Sequence, residues 1–367
     1  MNILLVLSQA DKTGPFLVAG DLATELLDLG HEIEIVYLHG SVRHTFPVAP
    51  RRIGYATPPE RGAFDIVHSH GFRADLYVHL HRRALARDPR VRTVTTVHQY
   101  NREQIPFDYG SRWKVRLVEF LWKRALGTKD VVAGLTAHMA RHYDDYLGRT
   151  DCTHVHNGRN PVLSGASNSL LEVLIERRRT GKVIGGAGHL VRRKGFDQLV
   201  ALLPDNPDWT VALLGEGPEH EALLAQARGL GVADRLLLCG FQAHPCDFFQ
   251  QMDVFALTSR AEGFSLVLAE AAGVGTPCVS ASLPFLRELY QESELPSYEV
   301  EDVEGLSAAI RKVLADREGF AQRLRSTYLE RFTRRAMALR YLELYGQVRD
   351  PRIPGTPSRT GSPRSFP

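Results

Sequence analysis

Short apolar, β-rich runs alternate with helix-length segments along nearly the whole 367-residue chain, and that order admits few architectures. In the first half the runs fall at residues 3–7, 32–38, 64–68, 92–98 and 130–135. Strands separated by helices pair in parallel, with the helices covering the faces of the sheet. Leu17, Leu22, Leu26 and Leu27 recur at helical spacing, and Gly30 stops that helix before the second run. A second series follows at 182–187, 209–214, 235–239, 253–257 and 277–280, after a polar stretch at 159–169 that carries Pro161, Gly165 and three serines. The length exceeds one ordinary hydrophobic core. Two doubly wound α/β domains in tandem are therefore expected, joined near residue 159, with ligand between them at the carboxyl ends of the strands. The segment 333–348 is amphipathic and reads as a last helix; 351–367 has no apolar periodicity and is expected to be disordered.

Several classes drop out early. The longest apolar runs fall well short of the ~20 residues of a spanning helix, and Met1-Asn2 leads into a strand without a basic leader. A cytoplasmic protein is the expectation. Cys152, Cys239, Cys246 and Cys278 are too few and too scattered for a disulfide framework or a zinc site, so all four read as structural. Residues 51–150 hold 18 Lys and Arg against 10 Asp and Glu, a balance that suits an anionic partner or simply a solvated face. No nucleic-acid module or aromatic stacking pattern accompanies it, which argues against nucleic acid.

Two segments carry the chemistry. Arg260-Ala261-Glu262-Gly263-Phe264-Ser265 precedes an apolar helix with Glu270 two turns along. Amides at a helix start lack intrahelical partners and attract phosphate, so a nucleotide diphosphate fits there. Taken alone, a solvated helix with a capping acid accounts for the same pattern. The other segment, Gly185-Gly186-Ala187-Gly188-His189-Leu190-Val191-Arg192-Arg193-Lys194-Gly195, ends a strand in glycines and adds three consecutive cations. Glycines let a ligand approach the backbone, and the cations suit a pyrophosphate leaving group. Walker A spacing is absent.

Together with Leu213-Leu214-Gly215-Glu216-Gly217-Pro218 and Val155-His156-Asn157-Gly158, these segments resemble glycosyltransferase family 4 over roughly residues 1–348. The resemblance implies the GT-B fold: a Rossmann-like acceptor-side domain at 1–159 and a nucleotide-sugar-binding domain at 160–332. It also implies that 333–350 packs back onto the first domain. It implies a retaining hexosyltransferase that uses a nucleotide-sugar, most simply a UDP-sugar, with neither cofactor nor metal. Glu262 would contact the donor sugar, Lys194 the diphosphate, and Glu270 the ribose. Gly263, Phe264 and Ser265 would line the donor, and Gly215 would lie beside the base. His98 would stand at the reacting centre. His189 replaces the family's usual arginine, so Arg192 or Arg193 is the candidate second cation. Gly14 stands where the family often has paired glycines, and His70 is an acceptor-side candidate.

The acceptor is expected to be a glycan or glycolipid of lipopolysaccharide or another bacterial envelope polysaccharide. Residues 111–124 form a basic amphipathic helix with two tryptophans, suited either to an anionic membrane on the inner face of the plasma membrane or to packing on the sheet. Two rival functions share the fold: a sugar-nucleotide epimerase, and a catalytically silent partner subunit. The base, the sugar, the linkage and the oligomeric state are not legible.

Overall fold

A computed structural model describes residues 1–11, 13–60, 62–100, 112–166 and 168–348. The tail at 351–367 and the start of the 111–124 segment lie outside the described residues. The chain forms two wholly parallel sheets. The first has seven strands: β1 (Asn2–Gln9), β2 (Glu32–His39), β3 (Arg51–Arg52), β4 (Ile66–His70), β5 (Arg92–Thr96), β6 (Val131–Gly134) and β7 (Thr153–His154). Their spatial order is β3-β2-β1-β4-β5-β6-β7. The second has six: β8 (Lys182–Ala187), β9 (Trp209–Leu214), β10 (Leu236–Leu238), β11 (Val254–Leu257), β12 (Cys278–Ala281) and β13 (Ser297–Tyr298), in the order β10-β9-β8-β11-β12-β13. Chain order reverses at β1/β4 in one sheet and at β8/β11 in the other, and crevices open at such reversals.

Ile3 to Leu7 and Trp209 to Leu214 are buried along their whole length, because helices cover both faces of each sheet. The two-residue strands β3, β7 and β13 are too short to show an alternation in sequence. The strand expected at 64–68 lies two residues later, at Ile66–His70. Its carboxyl half is His68-Ser69-His70, polar residues that read as a strand end yet are fully buried. Similarly β5 closes at Thr96, so His98 lies just beyond it.

The last helix, Arg334–Val348, packs on the first helix, Gly14–Asp28, and Met337, Ala338, Tyr341 and Tyr345 join the first domain's core. The chain crosses back near Gly158, whose amide donates to Met337 Sδ at 3.2 Å. A Cβ at Gly158 would lie 2.0 Å from the Thr333 carbonyl oxygen, so only glycine allows that approach. The helix Arg112–Leu126 packs through one face, with Val118, Trp122 and Leu126 in the core, while Trp113 is exposed. Among the described residues no helix is long and apolar enough to cross a membrane.

Candidate active site

In the second domain β8 runs into Gly188 and then a 3₁₀ turn at Arg192–Lys194. Gly195 ends that turn at φ 66°, where a Cβ would meet the Thr258 carbonyl oxygen at 2.2 Å; glycine there seats the turn on the end of β11. The turn delivers Lys194, whose ammonium donates to Glu262 Oε1. Arg193 Nη1 lies 3.4 Å from Glu262 Oε2 and donates to the Ala261 carbonyl at 2.6 Å. Ser259 Oγ donates to Glu262 Oε1 at 3.1 Å. Arg260 does not join them; it is tied to Asp197 at 2.7 Å and Glu301 at 2.5 Å, holding the loop from behind.

Gly263, Phe264 and Ser265 connect this carboxylate to the helix Leu266–Gly273, and Ser265 caps it by accepting the Leu268 amide at 3.4 Å. Phe264 packs edge-on against Phe332, ring centroids 5.8 Å apart. Gly215, at φ 137°, is pressed against the Gly188 backbone, a Cβ there falling 1.9 Å from the Gly188 carbonyl oxygen. The turns after β8 and β9 are thereby locked together beside the cations. His189 and Arg192 lie on the exposed side of the loop.

The first domain faces this constellation directly. A Cβ on Gly263 would lie 2.7 Å from the His98 carbonyl oxygen, and one on Gly14 would lie 3.6 Å from Leu266 Cδ1. His70 Nδ1 and His98 Nε2 are 3.0 Å apart. The His68 ring lies tilted behind His70, centroids 4.3 Å apart, and bonds Tyr345 at 2.7 Å and Thr96 at 2.8 Å. Burial pushes His68 and His98 down to about 3, and holds His70 well below its ordinary value with help from its two neighbours. The three imidazoles are therefore neutral near pH 7.

Glu270 is placed differently from Glu262. Arg159 Nε donates to Glu270 Oε1 at 2.5 Å, while Arg159 Nη1 donates to Asp21 at 2.9 Å. Arg334 lies 3.5 Å from both Asp21 and Glu25. Burial raises the Glu270 and Asp21 carboxyls, and Arg159 opposes that rise. This network joins the first helix, the linker, the second domain and the last helix. Nothing local marks it in sequence, since Arg159 precedes Glu270 by 111 positions.

The structure thus gathers Glu262, Lys194, Arg193, Gly263 and Ser265 at one helix start, with His98 and His70 across from them. A cavity of about 310 Å³ lined by Leu202, Asn206, Ser307 and Arg311 lies elsewhere and contains none of these residues. Among the described residues no cluster of three His, Cys, Asp or Glu is placed to hold a metal.

Residues 39–158 match the family described as glycosyl transferase 4-like domain, and residues 175–329 match glycosyl transferases group 1. The chain is similar to the O-antigen biosynthesis glycosyltransferase WclY of Escherichia coli, 27% identical over 356 residues, 95% of this chain and 99% of that one. It is 32% identical over 166 residues to the lipopolysaccharide core biosynthesis glycosyltransferase LpsE of Rhizobium meliloti, 44% of this chain and 49% of that one. The fold is shared with HepE of Anabaena, at a TM-score of 0.77 with 17% identity, covering 95% of this chain and 100% of HepE; HepE has been solved with UDP and with UDP-glucose.

Proposed function

This chain belongs to the GT-B glycosyltransferases, and from that premise we propose that it is a retaining, family 4 hexosyltransferase. Its donor is a UDP-sugar, and its acceptor is a glycan or glycolipid of lipopolysaccharide or another bacterial envelope polysaccharide, reached from the cytoplasmic side of the membrane. The observation that carries this reading is the meeting of Lys194, Arg193 and Glu262 with the helix start at Gly263–Ser265. The family of envelope enzymes to which the sequence is similar supports the acceptor class, and UDP in HepE supports the donor.

Breaking the bond between the anomeric carbon and the diphosphate leaves negative charge on the departing oxygen, and stabilising that charge is the main catalytic task. Lys194 supplies the cation, Arg193 a second, and the amides at Gly263–Ser265 add dipoles already aimed at the site. Glu262 accepts hydrogen bonds from the sugar hydroxyls, having exchanged Lys194 for the donor. His98, neutral, offers a ring nitrogen to the sugar. The acceptor hydroxyl attacks on the face the leaving group departs from, and the departing phosphate takes its proton. Retention by that route needs no protein nucleophile. Glu270 serves the ribose once Arg159 yields one of its contacts.

Thermal-shift titration of the purified chain against UDP-, GDP- and ADP-sugars tests the donor, because a ligand bound only by the folded state raises the apparent melting temperature. Stabilisation by UDP-sugars alone, lost in Lys194→Ala, is expected. A chain that none of the three stabilises, or that alters the donor sugar without any acceptor, refutes the reading.

A further inference from the structure

Behind Lys194 and Glu262, one buried side-chain amide touches both of the segments that carry them. Gln198 lies on the short helix Phe196–Ala201 and is 2% exposed. Its Nε2 donates to the Thr258 carbonyl at 3.0 Å and to the Gly195 carbonyl at 3.2 Å. Its Oε1 accepts the Glu301 amide and the Tyr298 hydroxyl, each at 3.1 Å. Gly195 follows Lys194, Thr258 follows β11 and opens the loop to Glu262, and Tyr298 closes β13. A single side chain thus joins the segments that leave β8, β11 and β13.

The surroundings admit only this residue type in only this orientation. Two carbonyls, which can only accept, face Nε2, and a backbone N–H, which can only donate, faces Oε1; turning the amide over would set oxygen against oxygen. Asparagine is one methylene short, ionised glutamate has no donor, and an apolar side chain would leave buried backbone groups unpaired. Burial pushes the pKa of the Tyr298 hydroxyl up, so it stays a donor. Glu301 has φ 71°, the one positive value at a non-glycine among the described residues. Backbone of that kind is disfavoured and persists where its surroundings hold it. Here the bond to Gln198 holds it, together with Arg260, which bonds Glu301 at 2.5 Å and Asp197 at 2.7 Å. The same two segments are stitched again by Thr258 Oγ1, which donates to the Lys194 carbonyl at 2.9 Å, and by the Arg260 amide, which donates to the Arg193 carbonyl at 2.8 Å.

Taking the donor site as proposed above, we infer that Gln198 is a positioning residue for it: its amide holds the Lys194 turn and the Glu262 loop at one fixed separation. Gln198 touches no ligand and acts through those two groups. A cation and a carboxylate that serve one ligand are effective only while their spacing is set before the ligand arrives, and small displacements are costly.

Calorimetric titration of the full chain with UDP tests this. Gln198→Met keeps length and bulk but none of the four bonds, and is expected to weaken UDP about tenfold. In a Lys194→Ala background the same change is expected to cost about twofold or less, because the group it positions is gone, while the fall in melting temperature is equal in both backgrounds. Gln198→Glu is expected to bind UDP weakly at neutral pH and to approach wild type towards acid pH, where its protonated carboxyl regains one donor. Should Gln198→Met not fold, Tyr298→Phe, which removes one of the four bonds and no packing, takes its place in the cycle with about threefold expected. UDP bound by these variants as by wild type, or weakened equally with and without Lys194, overturns the inference and leaves Gln198 a purely structural group. Hydrogen exchange at residues 192–195 and 258–262, measured without nucleotide, separates the two readings. A wild-type chain that binds no UDP refutes the donor reading; faster exchange at both segments in the variants then still supports the amide as what holds them, and unchanged exchange overturns it.

Discussion

Lys194 and Glu262 are each other's ionic partner in the cleft, with Ser259 bound to the same carboxylate oxygen. Their side chains are 13% and 9% exposed, so little water reaches the pair. On the proposed reading, a donor diphosphate and its sugar exchange with this contact, taking the ammonium at one end and the carboxylate at the other. The pair holds both groups in place until then, which limits the reorganisation needed on binding.

Glu262→Ala and Lys194→Ala are each expected to lower kcat/KM by about 10²–10³-fold. Because the two groups act on one ligand as a unit, the double variant is expected to fall well short of the product of the single losses. Steady-state transfer rates, with circular dichroism to confirm the fold, measure both. Near-normal turnover in Glu262→Ala removes this site from the chemistry.

Arg159 is the partner of two carboxylates from different domains, the buried Glu270 and the half-buried Asp21. Asp21 and Glu270 have folded pKa values above their ordinary ones. Their contribution to stability is therefore full below the ordinary carboxylate range and is lost as pH rises through the folded values. Arg159 limits that loss, and removing it raises both folded values further. Arg159→Ala is expected to be about 3 kcal/mol less stable than wild type at pH 7, with the gap narrowing towards pH 4. Denaturant unfolding at the two pH values reads it; an equal gap at both excludes the electrostatic account.

Much of this architecture was legible because short apolar runs such as Ile3–Leu7 and Val211–Leu214, set between helix-length segments, fit strands covered on both faces. The strand β4 was displaced in sequence for the converse reason: His68 and Ser69 look like an exposed end, but their partners are Tyr345, 277 positions away, and Asp75. In the candidate site, the short segments around Lys194 and Glu262–Gly263 stood out as fitting a diphosphate, and the role of each residue came only from the resemblance to the family. The roles of Arg159 and Glu288 had no such signal. Their contacts exist only after two domains have docked, and a single charged residue in a linker or on a short helix carries no periodicity.

The buried imidazoles set an acid limit. His68 and His70 are fully buried, with folded pKa values well below 6.5. A depressed folded value means that stability is intact above the unfolded value and is lost as pH falls from 6.5 towards the folded one, because the unfolded chain takes up the protons first. Each such histidine costs about 1.4 kcal/mol per pH unit in that window. Between pH 6.5 and 5.5, where the unfolded histidine goes from half to almost fully protonated, the pair is expected to cost about 2 kcal/mol, measurable in denaturant midpoints. His68→Gln, which keeps a donor and an acceptor, is expected to be less stable at pH 7.5 but to show a shallower slope, His70 and His98 keeping theirs.

Glu288 links the domains in a way that bears on their closure. It lies on the short second-domain helix Pro284–Leu289, and its two carboxylate oxygens accept the amides of Ala137 at 2.6 Å and His138 at 2.7 Å. Those amides open the first-domain helix Ala137–Leu147, whose own cap Thr136 serves a third amide, that of Met139, at 3.1 Å. A carboxylate at a helix start gains both charge-assisted bonds and the favourable end of the helix dipole, and here that gain exists only while the domains touch. Glu288→Ala leaves two amides to water and is expected to cost about 1 kcal/mol. It also removes a contact made only between the two domains, so the equilibrium shifts towards separation. Small-angle scattering should show a larger radius of gyration than wild type, and the donor KM should rise more than kcat falls. Glu288→Gln keeps one acceptor oxygen but loses the charge, and its scattering should fall between the two. If all three proteins scatter alike and share one KM, the contact has no part in domain closure.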